Sequence, residues 1–254
     1  SKQHQAGYAH ALTMIAFADV SSNSLYNFMN YAEKDFGFGI RVLVHNKSNI
    51  PVYAGNMLPV RTGTCTYIGV SKVLTESMPK PYSDCVDLTN FDSIFYREFL
   101  RQNKTYQQAV CIEMFKQKEV IDQCNCSSVN YINFNNTVIC DTAAEIDCMP
   151  TKENYAISEY IDVCPLECVK VSYNYALSYQ DFPEKYYAFY EQATQPAVQT
   201  HFREAGVSSI TVQDLASSMA CIYVFIDDMQ YTHISETPQL DIVGLLAYLG
   251  GTLG

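Results

Sequence analysis

Two cysteines one residue apart, Cys124 and Cys126 in DQCNCSSVNY, constrain the fold more than any other feature of this chain. Thiols so close can hardly bond to each other, so each needs a partner elsewhere. The chain holds ten cysteines, and Asn-x-Ser/Thr triplets stand at Asn46, Asn103, Asn125 and Asn135. An even count with such triplets points to an oxidising secretory route, an extracellular location and N-glycosylation at those asparagines. The metal alternative needs paired CxxC ligands, which are absent, and the spacing of Cys124, Cys126, Cys140 and Cys148 does not suit a zinc ribbon. Disulfides are expected, and no metal or other cofactor is.

Composition narrows the function. At 254 residues, with 48% hydrophobic and 17% charged, the chain is long and apolar enough to fold around one large core or two modest ones. A net charge of -11 argues against a nucleic-acid partner and suits a surface that draws in cations. His4, His10, His45, His201 and His233 are scattered, with no HExxH, G-x-S-x-G or phosphate-binding glycine loop, so no catalytic residue and no enzyme is expected. The opening SKQHQAGYAH lacks a charged start followed by an apolar run, and the chain reads as a fragment of something longer.

The segments predict an α+β fold. ALTMIAFADV and FGIRVLVHN read as strands, followed by short extended pieces broken by Pro and Gly. After Cys85 the period changes. FDSIFYREFLRQN and YQQAVCIEMFKQKEVIDQC carry apolar residues at helical spacing, with Val110, Met114 and Ile121 on one stripe and Cys111 and Phe115 beside it. A third helical piece is expected near KENYAISEYIDVC. Strand character returns in CVKVSYNYALSYQ, where Val169, Val171, Tyr173 and Ala176 suggest a partly buried sheet. PEKYYAFYEQATQPAVQTHFREAG reads as helix with Pro183 near its first turn, and SSMACIYVFIDDMQYTHI as a long, partly alternating strand. The ending IVGLLAYLGGTLG is uncharged but about half the roughly 20 residues that span a bilayer. It is either a buried element or the start of a membrane helix, with Gly250, Gly251 and Gly254 permitting close helix approach.

Four stretches, in order over nearly the whole chain, resemble the degenerin/epithelial sodium channel/acid-sensing ion channel family: FGFGIRVLVHNKSNIPV, PKPYSDC with CIEMFKQKEVIDQCNC, CPLECVKVSYNYALSY, and ETPQLDIVGLLAYLGGTLG. The resemblance implies a plasma-membrane, amiloride-sensitive, cation-selective (sodium) channel assembled as a trimer of sister subunits. Each subunit has two membrane helices and a large extracellular part with a palm-type mixed or antiparallel sheet, a disulfide-stapled helical thumb and a helical knuckle. Residues 1–84 correspond to palm strands and loops, 85–168 to the thumb, 169–182 to a palm strand and 183–212 to a knuckle helix. Residues 213–234 correspond to a palm strand, and 235–254 to a linker and the start of the second membrane helix.

The resemblance also assigns roles. Eight cysteines allow 105 connectivities; the family's ladder suggests Cys126 with Cys140, Cys124 with Cys148, Cys111 with Cys164, and Cys85 with Cys168. An additional family rung would fall at Phe115 and Asp162, where both halves are missing together. Cys65 and Cys221 have three open fates: a mutual bond, a buried free thiol, or a bond to a part not present here. Tyr82 matches a thumb-base aromatic that contacts the first membrane helix. Ala247 matches a position where bulk holds degenerin-type pores open, and Gly254 one that contributes to amiloride block. The run YYAFY, Tyr186 to Tyr190, suits knuckle packing. Asp227, Asp228, Glu236 and Asp241 suit either a solvated face or a negative vestibule, and His233, in the strand that leads toward the membrane, is a candidate for biasing gating. A proton, a peptide or mechanical load are the gating stimuli the family allows. The reading from another class is a secreted disulfide-rich glycoprotein binding domain without a pore.

Overall fold

The computed structural model describes residues 6–17, 40–51, 57–88, 91–129, 131–133, 137–149, 160–185, 187, 195–204, 206, 209–239 and 242–252. His4, Asn135, Asp241, Gly254, most of YYAFY and most of the third helical piece lie outside these residues. The described elements are a 3-10 turn Tyr8–His10, β1 Leu12–Phe17, β2 Ile40–Val42, β3 Leu58–Val60, β4 Thr64–Glu76, α1 Ile94–Arg101 and α2 Gln108–Cys124. They continue with α3 Ala143–Cys148, β5 Val169–Asp181, α4 Pro196–Glu204, α5 Val212–Ser218, β6 Met219–Ser235 and α6 Ile242–Thr252. The architecture is mixed α+β with several disulfides. It divides into one unit of residues 1–44, 57–72 and 173–231 and another of 45–56, 73–172 and 232–254.

The main sheet has the strand order β1-β6-β4-β5, and β2 pairs with β3 in a small antiparallel ribbon. The main sheet is mixed. β1 runs antiparallel to β6, from Leu12↔Val224 to Phe17↔Met219. β4 and β6 advance together: the Gly63 N–H donates to the Met219 carbonyl, the Tyr67 ring stacks on Tyr223, and Glu76 meets His233. β5 runs against β4, with the Phe182 N–H on the Gly63 carbonyl and the Ser77 N–H on the Cys168 carbonyl.

In the first unit, the central strands are covered on both faces. β4 buries Thr64, Cys65, Thr66, Ile68, Gly69, Val70 and Val73, and β6 opens with four buried residues, Met219 to Ile222. Over these four residues β6 does not alternate, because a stretch with no wet face has no polar face to alternate with. One cluster joins Cys65, Phe182, Phe202, Leu215, Met219 and Cys221; another joins Val42, Val60, Ile68, Val70, Ala220 and Ile222. On β5 the half-buried set is Val171, Ser172, Tyr173 and Tyr175, while Val169 and Ala176 are exposed, as befits an edge strand.

One boundary differs from the expected one. The last strand starts at Met219, not at 213, because Val212–Ser218 is a helix. Thr211 caps it: its hydroxyl accepts the Asp214 N–H (3.2 Å) while Asp214 accepts the Thr211 N–H (2.7 Å), a reciprocal capping box. Just after Pro183, Lys185 and Tyr187 are helical, in keeping with the helix expected there, and α4 follows with Pro196 in its first position.

In the second unit, α1 is capped by Ser93, whose Oγ accepts the Tyr96 N–H, and it buries Phe95 and Phe99 one turn apart. These pack with Ile50, Tyr106, Val110, Cys111, Met114 and Cys164. The buried face of α2 continues through Val120, whereas Ile121 is only half-buried. Glu113 and Gln117 are buried on the same helix. Gln117 earns its place by clamping a loop: its Nε2 donates to the Ser128 carbonyl (3.1 Å) and its Oε1 accepts the Ser128 N–H (3.0 Å).

Candidate functional site

A ladder of disulfides organises the second unit. Cys85 is bonded to Cys168, Cys111 to Cys164, Cys124 to Cys148 and Cys126 to Cys140, with Cα separations of 4.9, 5.6, 5.8 and 5.0 Å. Cys124 and Cys126 thus serve two successive rungs. Asn125 between them adopts the left-handed conformation (φ 56) that ends α2 and turns the chain between the rungs. At the positions of the family's additional rung, the Phe115 ring packs near Phe95 and Tyr160, both at 6.2 Å between ring centres.

Cys65 and Cys221 carry free thiols in the structure, both buried. They face each other from β4 and β6, two residues after the Gly63–Met219 hydrogen bond and two before the Tyr67–Tyr223 stack. Burial first, and the neighbouring Cys221 thiol second, push the Cys65 thiol from 9.0 up to about 12. It is neutral at physiological pH, and a neutral buried thiol is a poor nucleophile.

The base of the ladder is hydrogen-bonded to the segment that leads into α6. At the end of β4 the Glu76 carbonyl accepts the Glu236 N–H (2.9 Å), and Glu76 Oε2 lies 3.1 Å from His233 Nε2. Glu236 Oε2 in turn accepts the Met78 N–H (2.9 Å). The Met78 carbonyl accepts the Ser83 hydroxyl (2.6 Å), and Ser83 Oγ accepts the Cys85 N–H (3.3 Å). A continuous chain of bonds therefore runs from Glu236 to the outermost rung. Tyr82 stands on this loop, 58% exposed, with its N–H on the Pro79 carbonyl. Sequence reasoning singled out Tyr82, His233 and Glu236 but missed Glu76, Met78 and Ser83. No local signal could have found them, since Met78 and Glu236 are 158 residues apart.

After Glu236 the chain enters α6, which carries no charged side chain. It exposes Val243 (72%), Leu246 (64%) and Tyr248 (66%), together with Leu245 and Leu249. Ala247 is exposed, and an added Cβ at Gly250 or Gly251 would meet nothing within 4 Å. Among the described residues no helix is long and apolar enough to cross a membrane.

Other singled-out residues are dispersed. His10 is exposed in the 3-10 turn, His45 Nδ1 lies 2.9 Å from the Asn46 carbonyl, and His201 belongs to α4. Asp227 and Asp228 are exposed on β6, where Asp228 accepts the Gln230 N–H (3.0 Å). Tyr187 packs on Phe182 (5.1 Å between ring centres).

Residues 1–254, the whole chain, match the family described as amiloride-sensitive sodium channel. The chain belongs to that family. Its relatives include the epithelial sodium channel subunit gamma of Neoceratodus forsteri, 25% identical over 85% of this chain and 32% of the relative. Acid-sensing ion channel 1C of Danio rerio is 22% identical over 87% of this chain and 38% of the relative. The epithelial sodium channel subunit beta of Aquarana catesbeiana is 22% identical over 84% of this chain and 77% of the relative. The chain thus spans about a third of the length of the gamma-subunit relative. The family is one of ion channels, not of enzymes.

Proposed function

We propose that this chain is extracellular sequence from a subunit of a trimeric, amiloride-sensitive sodium channel at the plasma membrane, in which sheet and ladder move together with the pore. In this reading the palm comprises residues 1–84, 169–182 and 219–234, the thumb 85–168, and the knuckle 183–218. Residues 235–254 link the palm to a membrane helix that begins with α6. Sodium ions and sister subunits are its partners.

The observation that carries the reading is the bonded chain from Glu236 through Met78 and Ser83 to Cys85. It joins the root of an uncharged, outward-facing apolar helix to the base of a covalently braced unit. A displacement of the ladder base is thereby handed to the segment ahead of α6 through hydrogen bonds worth about 1 kcal/mol each, strong enough to transmit and weak enough to rearrange. Exposed Asp227 and Asp228 would raise local cation concentration.

The test is voltage clamp of oocytes expressing the full-length subunit, alone and with related subunits from the same source. An inward sodium current blocked by amiloride is expected. Protein that is abundant at the surface yet silent in every combination would overturn the reading, and release of the chain into the medium would favour the secreted module.

A further inference from the structure

Three of the four glycosylation triplets fall on described residues, and the fold treats them differently. Asn103-Lys104-Thr105 follows α1, where Asn103 is exposed in the left-handed conformation (φ 53). Neither its carboxamide nor the Thr105 hydroxyl makes a hydrogen bond among the described residues, and Thr105 is also exposed. Only the backbone and the lysine are engaged. The Thr105 N–H donates to the Ser48 carbonyl (2.8 Å) and Lys104 Nζ to the Lys47 carbonyl (2.9 Å). The Asn46 triplet thus lies directly beside that of Asn103. There the carboxamide oxygen is already used, accepting the Ser48 N–H (3.3 Å), and Ser48 is half-buried.

Asn125-Cys126-Ser127 is closed from both sides. Cys124 before it and Cys126 within it are disulfide-bonded. Ser127, the hydroxyl residue of the triplet, is wholly buried; its Oγ donates toward the Thr137 and Val138 carbonyls (3.0 and 3.1 Å) and accepts from Asn133 Nδ2 (3.2 Å). A transferase must reach both the carboxamide and the hydroxyl of its acceptor triplet. At Asn125 that requires the Cys126–Cys140 rung to be open.

We infer that Asn103 carries an N-linked glycan and that closing the Cys126–Cys140 rung shuts Asn125 to the same modification. The donor class is a lipid pyrophosphate-linked oligosaccharide. Asn103 Nδ2 attacks the anomeric carbon, the N–C bond forms as the C–O bond to pyrophosphate breaks, the lipid pyrophosphate leaves, and the amide loses one proton to a base. The glycan is bulky and hydrated, so the face formed by residues 46–49 and 103–105 points to water in any assembly and not toward a sister subunit. This rests on the extracellular placement proposed above.

The test uses the full-length subunit isolated from the cell surface by biotin labelling. Glycosidase release in heavy-oxygen water, followed by peptide mass spectrometry, reads each asparagine as converted or unconverted. Conversion at Asn103 and none at Asn125 is expected. Thr105→Ala, which leaves the Asn103 backbone in place, should remove one glycan. The double variant Cys126→Ser/Cys140→Ser, read in the total cell pool because glycans are added before folding is complete, should gain conversion at Asn125. A bare Asn103 on surface protein, a glycan on Asn125 in molecules with the rung intact, or no gain in the double variant would overturn the inference while leaving the channel reading standing. A chain that never enters the secretory route would overturn both.

Discussion

Glu167 caps a helix that its own neighbours leave open. The residue before α2, Gln107, makes no capping bond, and its buried Oε1 has no partner among the described residues. Instead Glu167 Oε2, nearly 60 residues on, accepts the Gln108 N–H (2.9 Å), and its charge faces the positive end of the helix. The Tyr106 hydroxyl donates to the Pro165 carbonyl (2.8 Å) and Gln108 Nε2 to the Cys164 carbonyl (3.0 Å), so the returning segment is stitched to the helix start. Burial, and then the Glu167 charge, push the Tyr106 phenol up. Glu167→Ala should cost about 1–2 kcal/mol in urea denaturation with disulfides intact, and Glu167→Gln clearly less; equal losses would show that the charge is irrelevant. In the first unit the Cys65 thiol makes a pH prediction. Its pKa is raised on folding, so its contribution to stability is constant below pH 9.0 and is lost as pH climbs through the window to about 12, where unfolded chains release the proton and folded ones keep it. Cys65→Val should flatten that decline. At pH 8 neither free thiol should react with an alkylating reagent until the chain is unfolded, when both should; rapid labelling of the native protein would show that the thiols are not enclosed.

At the scale of elements, the nested bonds change what each is worth. The outermost spans 83 residues in sequence, but with the next rung closed the path is 26 residues from Cys85 to Cys111 and 4 from Cys164 to Cys168. Removing it as Cys85→Ser/Cys168→Ser should therefore cost about 3.6 kcal/mol, as for a loop of about 30 residues, and not the about 4.5 kcal/mol of an isolated 83-residue loop. Urea unfolding of the full chain decides, and a loss at the larger value would mean that the inner rungs do not restrain the unfolded chain. The helices α1 and α2 were legible because their apolar spacing is local. The exact stripe was not, since Gln117 is buried for its bonds to Ser128 and Val120 for its contact with Cys126 and Cys140. α5 was hidden because its short run abuts a strand of similar apolarity; the Thr211 and Asp214 pair was the available signal. The ladder's pairing came from the family pattern, not from spacing, because geometry in a linear sequence leaves every connectivity open.

At the scale of the whole molecule, family membership was legible from stretches that keep their order along the chain, whereas the bonded loop at Glu236 was not, because it unites residues far apart in sequence. The family's pore logic bears on Ala247, which is exposed on α6. In the full-length subunit a larger side chain there would crowd neighbouring helices, and overpacking of about 1–3 kcal/mol shifts a two-state gate by about 5- to 150-fold. Ala247→Phe should raise the resting, amiloride-blocked current in voltage clamp; an unchanged current in a channel well expressed at the surface would place Ala247 away from the closed gate.

The shared direction of β4 and β6 has a mechanical corollary. The two strands end together, where the Glu236 N–H meets the Glu76 carbonyl. Traction applied through α6 along β6 therefore acts in shear, and the bonds between the strands stretch side by side. A strand pulled from its neighbour crosswise would lose them singly, like a zip. The junction is consequently stiff along its length and compliant across it, so the direction of a tug, more than its size, determines whether the sheet holds.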